Sequence, residues 1–286
     1  MRMKLTNVSI NNLRCAKNIA HFKKDRCFMS QVYQENLVSV IMPTYNSSSV
    51  LEASIASIQK QGYQNWELLV VDDCSKDGTQ EILRQLAKRD MRIRPFFQTE
   101  NRGSGFARNK GLSKARGRFV AFLDSDDLWH PDKLEEQLAF MKTHGYGFTF
   151  TAYHVFEEQP TAIKRTVRVP RKINYQQLLK NTIIGCLTVM IDREKVGDFR
   201  MPLLRARQDT ATWLSILKEQ DYAYGLTEPL AYYRVSATSL SSNKWRMLKK
   251  NWQMYRECEG LNIVYASYVF SCYVCNALWK RRRQIG

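Results

Sequence analysis

Acidic residues are scarce in this chain. Its 286 residues hold 27 Asp or Glu against 44 Lys or Arg, a formal net charge of +17. That imbalance excludes an acidic solvating chain and implies an anionic partner: nucleic acid, an anionic membrane surface or a phosphorylated substrate. Histidine is scarcer still, with four residues isolated from one another and no HExxH sequence, so a histidine metal site is not expected. The seven cysteines (15, 27, 74, 186, 258, 272 and 275) have no framework spacing, which excludes a disulfide scaffold and fits thiols in a reducing compartment. Cys272 and Cys275 form a CxxC inside an apolar helical stretch, without a second pair, and are read as packing residues. No GxxxxGK[ST] sequence occurs, which argues against a P-loop nucleotidase. Gly103-Ser104-Gly105 lacks the third glycine and the acidic residue of a dinucleotide fingerprint. Internal repeats and low-complexity segments are also absent.

What is present is an ordinary globular composition, 44% hydrophobic and 25% charged, long enough for one large domain or two small ones. Residues 1–28 hold seven Lys or Arg against Asp25 and contain no continuous apolar run, so no secretory leader is expected. Either Met29 is the natural start or residues 1–36 form a loose extension. At the other end, residues 260–279 carry no charge, nearly the length that spans a bilayer. Asn262, Ser267, Ser271 and Asn276 interrupt the stretch, tyrosines punctuate it, and Lys280-Arg281-Arg282-Arg283 follows. Three readings stand: a spanning helix, a helix packed on the preceding domain, and an interfacial helix on an anionic membrane surface.

Between these ends, short apolar runs alternate with amphipathic stretches. Strands are expected at 37–42, 66–71, 93–97 and 119–123, and helices at 50–60, 79–88, 106–115 and 133–143. Continuous apolar strands between amphipathic helices predict an α/β fold with a mainly parallel sheet covered on both faces. The second half is less regular: strands at 147–156, 164–169, 188–191, 222–226 and 230–233, a helix at 211–218, and helix throughout 242–280.

Three strands end in polar clusters: Pro43-Thr44-Tyr45-Asn46, Asp72-Asp73-Cys74-Ser75 and Asp124-Ser125-Asp126-Asp127. Ligands of open α/β sheets bind outside the carboxyl ends of strands, so all three clusters fall on the binding edge. Three carboxylates within four positions after a buried strand aim hard oxygen ligands at one point, suited to a divalent cation carrying a phosphate. The plainer reading is a solvated acidic loop or a helix cap. Asp72 or Asp73 can accept an N–H from a nucleobase, or can cap the helix after Asp77-Gly78. Tyr45 can offer a ring face for stacking. Arg102, Arg108 and Lys110 place positive charge near the same edge, suited to a diphosphate or to a solvated helix face.

These clusters match a family. Val38-Ser39-Val40-Ile41-Met42-Pro43-Thr44-Tyr45-Asn46 resembles the opening of family 2 glycosyltransferases. Glu67–Thr79, Asn101-Arg102-Gly103 with Ala107–Gly111, and Phe122–Trp129 with Pro131 follow in the family's order and spacing. The clear resemblance covers about residues 37–157 and extends more weakly to about 245.

The resemblance implies a GT-A fold, a three-layer α/β/α sandwich, over residues 37–240. Residues 37–145 would form the nucleotide-sugar half and 146–240 the acceptor half, with a helical segment at 241–286. Tyr45 and Asp73 would hold the base, usually uracil, with Pro43, Thr44, Arg108, Asp124, Ser125 and Arg234 also on the nucleotide-sugar. Asp126 would be the main ligand of Mg²⁺ or Mn²⁺, with Asp124 facing ribose or metal and Asp127 in support. In the family a Glu-Asp pair before a Trp-Leu helix supplies the catalytic base. Here Gln208 replaces the Glu and Asp209 remains, expected as the base rather than as a helix cap. The family's His after a Tyr-Arg pair is replaced by Ser236, after Tyr233-Arg234-Val235.

The implied activity is an inverting, metal-dependent transfer from a UDP-sugar to a saccharide or lipid-linked saccharide, in building a bacterial surface polysaccharide. Nucleic acid is not the expected partner. The expected place is the cytoplasm, with peripheral contact at the inner membrane face left open. The alternatives are a nucleotidyltransferase, for which the Gly-rich Lys-containing signature is missing, and a non-catalytic saccharide or nucleotide-binding module.

Overall fold

The computed structural model describes residues 33–204, 206–235 and 244–282. The described residues 33–204 and 206–235 form one compact unit, and the described residues 244–282 belong to another. Expectations for residues 1–28, the Met29 start, Cys15, Cys27 and Ser236 fall outside the described residues.

The first unit is built on β1 (Gln34–Thr44), whose last eight residues are buried. It pairs in parallel with β2 (Trp66–Asp72) on one side and β4 (Gly117–Phe122) on the other, and β2 pairs in parallel with β3 (Ile93–Phe97). Four helices follow the strand ends and linkers of this half: α1 (Leu51–Gln59), α2 (Thr79–Arg89), α3 (Ser104–Leu112) and α4 (Lys133–His144). α1 buries Leu51, Ile55 and Ile58 in one core cluster with Val40, Met42, Leu68, Val70 and Phe119. Full burial of each such side chain contributes roughly 1.5–3 kcal/mol. α3 lies close on the sheet because position 111 is glycine: a Cβ there would stand 2.7 Å from Ile41 Cγ2.

The sheet continues with β5 (Leu128–Trp129), β6 (Phe148–Phe156), β7 (Ile163–Val167), β8 (Lys172–Ile173), β9 (Met190–Asp192) and β10 (Ala223–Arg234). Its order is β3-β2-β1-β4-β9-β6-β10-β5, with β7 beside β6 and β8 beside β10. β9 runs antiparallel to both neighbours, while β6 and β10 are parallel. Three short or medium helices complete the unit: α5 (Tyr175–Lys180), α6 (Arg193–Val196) and α7 (Gln208–Ile216).

The first half follows the apolar pattern closely, while the second half departs from it, adding β8, α5 and α6, which are not expected from it, and changing three expected elements. The strand expected at 188–191 lies at 190–192, because Cys186–Thr188 turns in a 3-10 helix first. The two strands expected at 222–226 and 230–233 are one strand, β10, whose register slips on either side of Pro229. The helix expected throughout 242–280 is α8 (Lys244–Gln253), a π-helical turn at Met254–Cys258, and α9 (Ile263–Arg282). Gly260 breaks it with a left-handed φ of 64°. Among the described residues, no helix is long and apolar enough to cross a membrane, which removes the spanning reading.

Lys133, at the start of α4, is fully buried. Its Nζ donates to Gln137 Oε1 at 2.6 Å and lies 4.4 Å from the Trp129 ring centroid. Gln137 in turn donates to Thr149 Oγ1 and the Thr188 carbonyl, both at 3.0 Å, so the lysine anchors α4 to the sheet. Burial pushes the Lys133 ammonium down to about 7 from the ordinary 10.5. Between those values the unfolded chain binds a proton that the folded chain lacks, so folding becomes more favourable as pH rises. The stability of the wild type relative to Lys133→Met is therefore expected to be flat below about pH 7. Above it the difference should climb by at most about 1.4 kcal/mol per pH unit. Urea unfolding of both proteins across this range checks the slope, and a constant difference overturns the burial argument.

Candidate active site at the carboxyl edge of the sheet

β4 delivers the acidic run. Leu123 N–H donates to the Ile41 carbonyl at 3.1 Å, prolonging the pairing with β1, and the chain then turns with Asp127 N–H on the Asp124 carbonyl, also at 3.1 Å. The side chains alternate. Asp124 and Asp126 face outward, while Ser125 and Asp127 are buried. Ser125, expected on the nucleotide-sugar, has its Oγ 2.9 Å from Ser47 Oγ, and its carbonyl accepts Ser54 Oγ at 2.8 Å. Its side chain ties the acidic turn to the start of α1.

The acids repel one another. Burial, then the charges of Asp126 and Asp124, push the Asp127 carboxyl well above the usual carboxylate range. Asp127 Oδ1 accepts the Arg234 N–H at 2.9 Å. Asp126 is open to solvent at residue level, yet the local desolvation of its carboxyl and then the charge of Asp124 raise it too. β10 supplies a counterweight, with Arg234 Nε donating to the Asp126 carbonyl at 2.9 Å and Nη1 to the Glu158 carbonyl at 3.1 Å. The Arg234 guanidinium also lies 4.5 Å from the Phe156 ring centroid. The arginine expected on phosphate thus already clasps the backbone behind the acids.

The second counterweight is Arg108, buried on α3, whose Nη2 donates to Asp124 Oδ1 at 2.5 Å. Burial opposes its charge, but Asp124 and, further off, Asp209 hold the guanidinium above its ordinary range. Arg102 and Lys110, grouped with it in the sequence, face solvent instead. The Arg102 guanidinium stacks 3.7 Å from the Phe106 ring centroid, so of the three side chains Arg108 is the one that meets the acidic turn.

α7 brings the distant part of the chain to the same place. Gln208 satisfies all its neighbours with its amide turned so that Nε2 donates to the Leu204 carbonyl at 2.6 Å. Its oxygen then accepts Arg108 Nη1 at 2.8 Å and Ser104 Oγ at 2.6 Å. A chain of contacts therefore runs from Gln208 through Arg108 to Asp124. Asp209 follows at the second position of α7. The helix caps on Arg207 in a left-handed conformation, φ 64°, without a side-chain cap bond, so Asp209 is not the cap.

The end of β2 forms the other side. Asp72 is buried and accepts Ser75 N–H at 3.1 Å, Ser75 Oγ and Gln80 Nε2 at 2.8 Å. Asp73 Oδ1 accepts Gln98 Nε2 at 3.1 Å and Arg102 N–H at 2.8 Å, and Oδ2 accepts Gly103 N–H at 2.7 Å. Gly103 adopts φ 87°, a left-handed backbone open to glycine, which turns two successive N–H groups onto one carboxylate. A carboxylate has about four lone-pair positions, and three are taken here. The helix-capping alternative goes to neither residue, because Asp77 accepts Thr79 N–H and Ser48 N–H, each at 3.0 Å. Pro43 pairs with Val71 beside this carboxylate, Thr44 accepts Asp73 N–H at 2.9 Å, and Tyr45 is 48% exposed next to them. The Thr44 hydroxyl is buried without a partner among the described residues.

No motif points to Cys186, a buried thiol in the charge field of Arg108, Asp124 and Asp209, whose pKa is raised first by burial. Nor does the sequence show that Gln208 holds Arg108, since that depends on the arginine being buried. No group of three or more Asp, Glu, His or Cys among the described residues is arranged to hold a metal ion. Asp124 and Asp126 offer two hard oxygen donors, one already shared with Arg108. That set fits Mg²⁺ or Mn²⁺ where phosphate and water complete the shell, as these ions are commonly held on nucleotides.

A mainly parallel sheet with paired acids and a buried arginine at its carboxyl edge is the arrangement expected of a GT-A fold. The chain belongs to glycosyl transferase family 2, which residues 39–197 match. It is 50% identical over 245 residues to TuaG of Bacillus subtilis, a glycosyltransferase named for teichuronic acid biosynthesis, covering 86% of this chain and 97% of that protein. It is 42% identical over 219 residues to WfgD of Escherichia coli, covering 76% and 85%. WfgD is named a UDP-Glc:alpha-D-GlcNAc-diphosphoundecaprenol beta-1,3-glucosyltransferase. The fold matches that of S. aureus TarS in complex with UDP-GlcNAc, with TM-score 0.65 and 20% identity over 83% of this chain and 71% of that one. It also matches a mannosyltransferase of Pyrobaculum calidifontis in complex with GDP-Man and Mn²⁺, with TM-score 0.60 and 18% identity over 94% and 85%.

Replacing Arg108 leaves the Gln208 oxygen and Asp124 short of a donor. Arg108→Met is expected to lower stability by roughly 1–3 kcal/mol, the cost of stranding buried polar partners. Urea unfolding measures it. A variant as stable as the wild type would show that the contact chain from α7 to the acidic turn carries no weight.

Proposed function

We propose that the protein transfers a sugar from a UDP-sugar to a saccharide or lipid-linked saccharide acceptor, with inversion, in building a bacterial cell-surface polysaccharide. The observation that carries this is the convergence of Asp124, Asp126, Arg108 and the start of α7 at one edge of the sheet. The name of TuaG supports the surface-polysaccharide setting, and the name of WfgD supports a UDP-sugar donor and a lipid-diphosphate acceptor.

In this reading the base lies at the ends of β1 and β2. Tyr45 offers its ring face, the Pro43-Thr44 backbone lines the edge, and Asp73 uses its remaining lone pair for a ring N–H of uracil. Asp124 faces the ribose side while Arg108 holds it in place, and Ser125 shapes the turn. Asp126 would be the main ligand of Mg²⁺ or Mn²⁺ with Asp124 beside it, and Asp127 supports from below through the Arg234 N–H. When bound, the cation neutralises charge on the leaving diphosphate, worth several kcal/mol in the transition state.

Asp209 takes the proton of the acceptor hydroxyl. As that proton leaves, the hydroxyl oxygen forms its bond to the anomeric carbon from the face opposite the diphosphate. The bond to the diphosphate oxygen breaks, the electron pair departs with UDP, and the configuration inverts. Positioned base catalysis of this kind contributes roughly 10²–10⁴ in rate.

Asp209→Asn is expected to lower kcat by roughly that factor while UDP affinity stays within about twofold. Asp126→Ala is expected to abolish the Mg²⁺- or Mn²⁺-stimulated release of UDP with the fold intact. UDP release measured over a panel of UDP-, GDP- and dTDP-sugars, with and without EDTA, tests both. Release indifferent to EDTA, or absent for every donor, overturns the reading. UDP binding without turnover in the wild type would favour a non-catalytic binding module.

A further inference from the structure

The second unit presents an unusual helix face. α9 has a buried side at Ala266 and Val269, and its Phe270 meets Trp252 of α8 edge-on with ring centroids 5.6 Å apart. The opposite side is open. Ile263, Val264, Tyr268, Leu278 and Trp279 are each more than half exposed, and Val264 is 77% exposed. Val264, Tyr268, Ser271, Cys275 and Leu278 follow one another at spacings of four and three, so they form one stripe along the helix. No charged residue occurs from Leu261 to Trp279. A helix on a water-exposed surface normally turns charged residues outward, and this one turns aromatic and aliphatic side chains outward.

The segment that carries the stripe is predominantly basic. Residues 244–286 hold nine Lys or Arg against Glu257 and Glu259. Lys280 follows directly on Trp279, and α8 carries Lys249 and Lys250 with Trp245 83% exposed. The helix is not apolar enough to cross a bilayer.

We propose that this unit lies flat on an anionic bilayer, with the open stripe of α9 sunk into the headgroup layer and the flanking basic residues on anionic headgroups. Each Lys or Arg near such a surface contributes about 1 kcal/mol, and aromatic residues suit the headgroup level. A second copy of the chain is the poorer occupant, because its matching face would bring the same excess of positive charge. The proposal deepens the lipid-linked acceptor reading and rests on it for its purpose, since an acceptor held in the membrane is met there. The exposed stripe and the basic composition of the segment do not depend on that reading.

The full chain is mixed with vesicles of phosphatidylcholine alone, or of phosphatidylcholine with phosphatidylglycerol, and sedimented. Binding to the phosphatidylglycerol vesicles is expected, falling as salt rises. The variant Val264→Ser/Trp279→Ser alters exposed positions outside the catalytic unit and is expected to lose at least about tenfold in vesicle affinity, since each exchange removes apolar burial. Its UDP affinity, measured without lipid, is expected to match the wild type. Wild type that stays in solution with phosphatidylglycerol vesicles, or a variant that binds them equally well, overturns the proposal. So does a wild-type dimer by light scattering that the variant converts to monomer. If the wild type binds vesicles but not UDP, the membrane surface stands and the donor reading fails, so the two failures are separable.

Discussion

Three carboxylates within four residues repel one another just beyond the carboxyl end of a buried strand, and the site is arranged around that repulsion. The alternation of the turn divides the problem. Asp127 goes inward, where burial favours its protonated form and the Arg234 N–H meets it. Asp124 and Asp126 go outward, where water, Arg108 and a cation can answer their charge. Each answer depends on a different part of the chain. Arg234 comes from β10, which is held beside the turn because Ala231 and Tyr232 pair with Trp129 and Leu128. Arg108 comes from α3, which approaches the sheet closely only because Gly111 leaves room for Ile41. The acidic turn is thus where the late strands and the early helices come together.

The base side follows a similar logic with one carboxylate instead of three. Asp73 organises its own surroundings: two backbone N–H groups and a glutamine amide fix the loop 101–103 against the end of β2. The same loop starts α3, and α3 carries Arg108. A single hydrogen-bonded carboxylate therefore sets the position of the arginine that balances the acidic turn. The two ends of the nucleotide-sugar reading are mechanically linked through the first five residues of α3, Ser104 to Arg108.

The first half of the fold was legible because its strands are covered on both faces, so burial writes itself as uninterrupted apolar runs such as Leu68–Val71. The second half was not. β10 carries Glu228 and Pro229 in its middle, and the register slip they occupy looks like a loop between two strands. β9 has three residues, too few for any period to show. Among site residues, the outward acids and Tyr45 were readable from position at strand ends. The inward turn of Ser125 was not, although its place between two outward acids is what an extended, alternating backbone would give. Asp209 came from resemblance alone, since nothing in spacing links it to Asp124 across more than eighty residues.

Gln208 shows why a lost acid need not be a lost function. Its oxygen accepts from Arg108 and Ser104, while its nitrogen donates to the Leu204 carbonyl. A carboxylate could make the first two contacts but has no proton for the third, and would face the Leu204 carbonyl oxygen across 2.6 Å. The local backbone therefore favours an amide at this position. An amide also carries no charge, so Arg108 is not divided between two anions and its guanidinium remains directed to Asp124. Asp124 is then partly neutralised by protein, which leaves Asp126 as the freer donor of the outward pair. The exchange shifts the balance within the acidic turn while leaving Asp209 as the carboxylate at the start of α7.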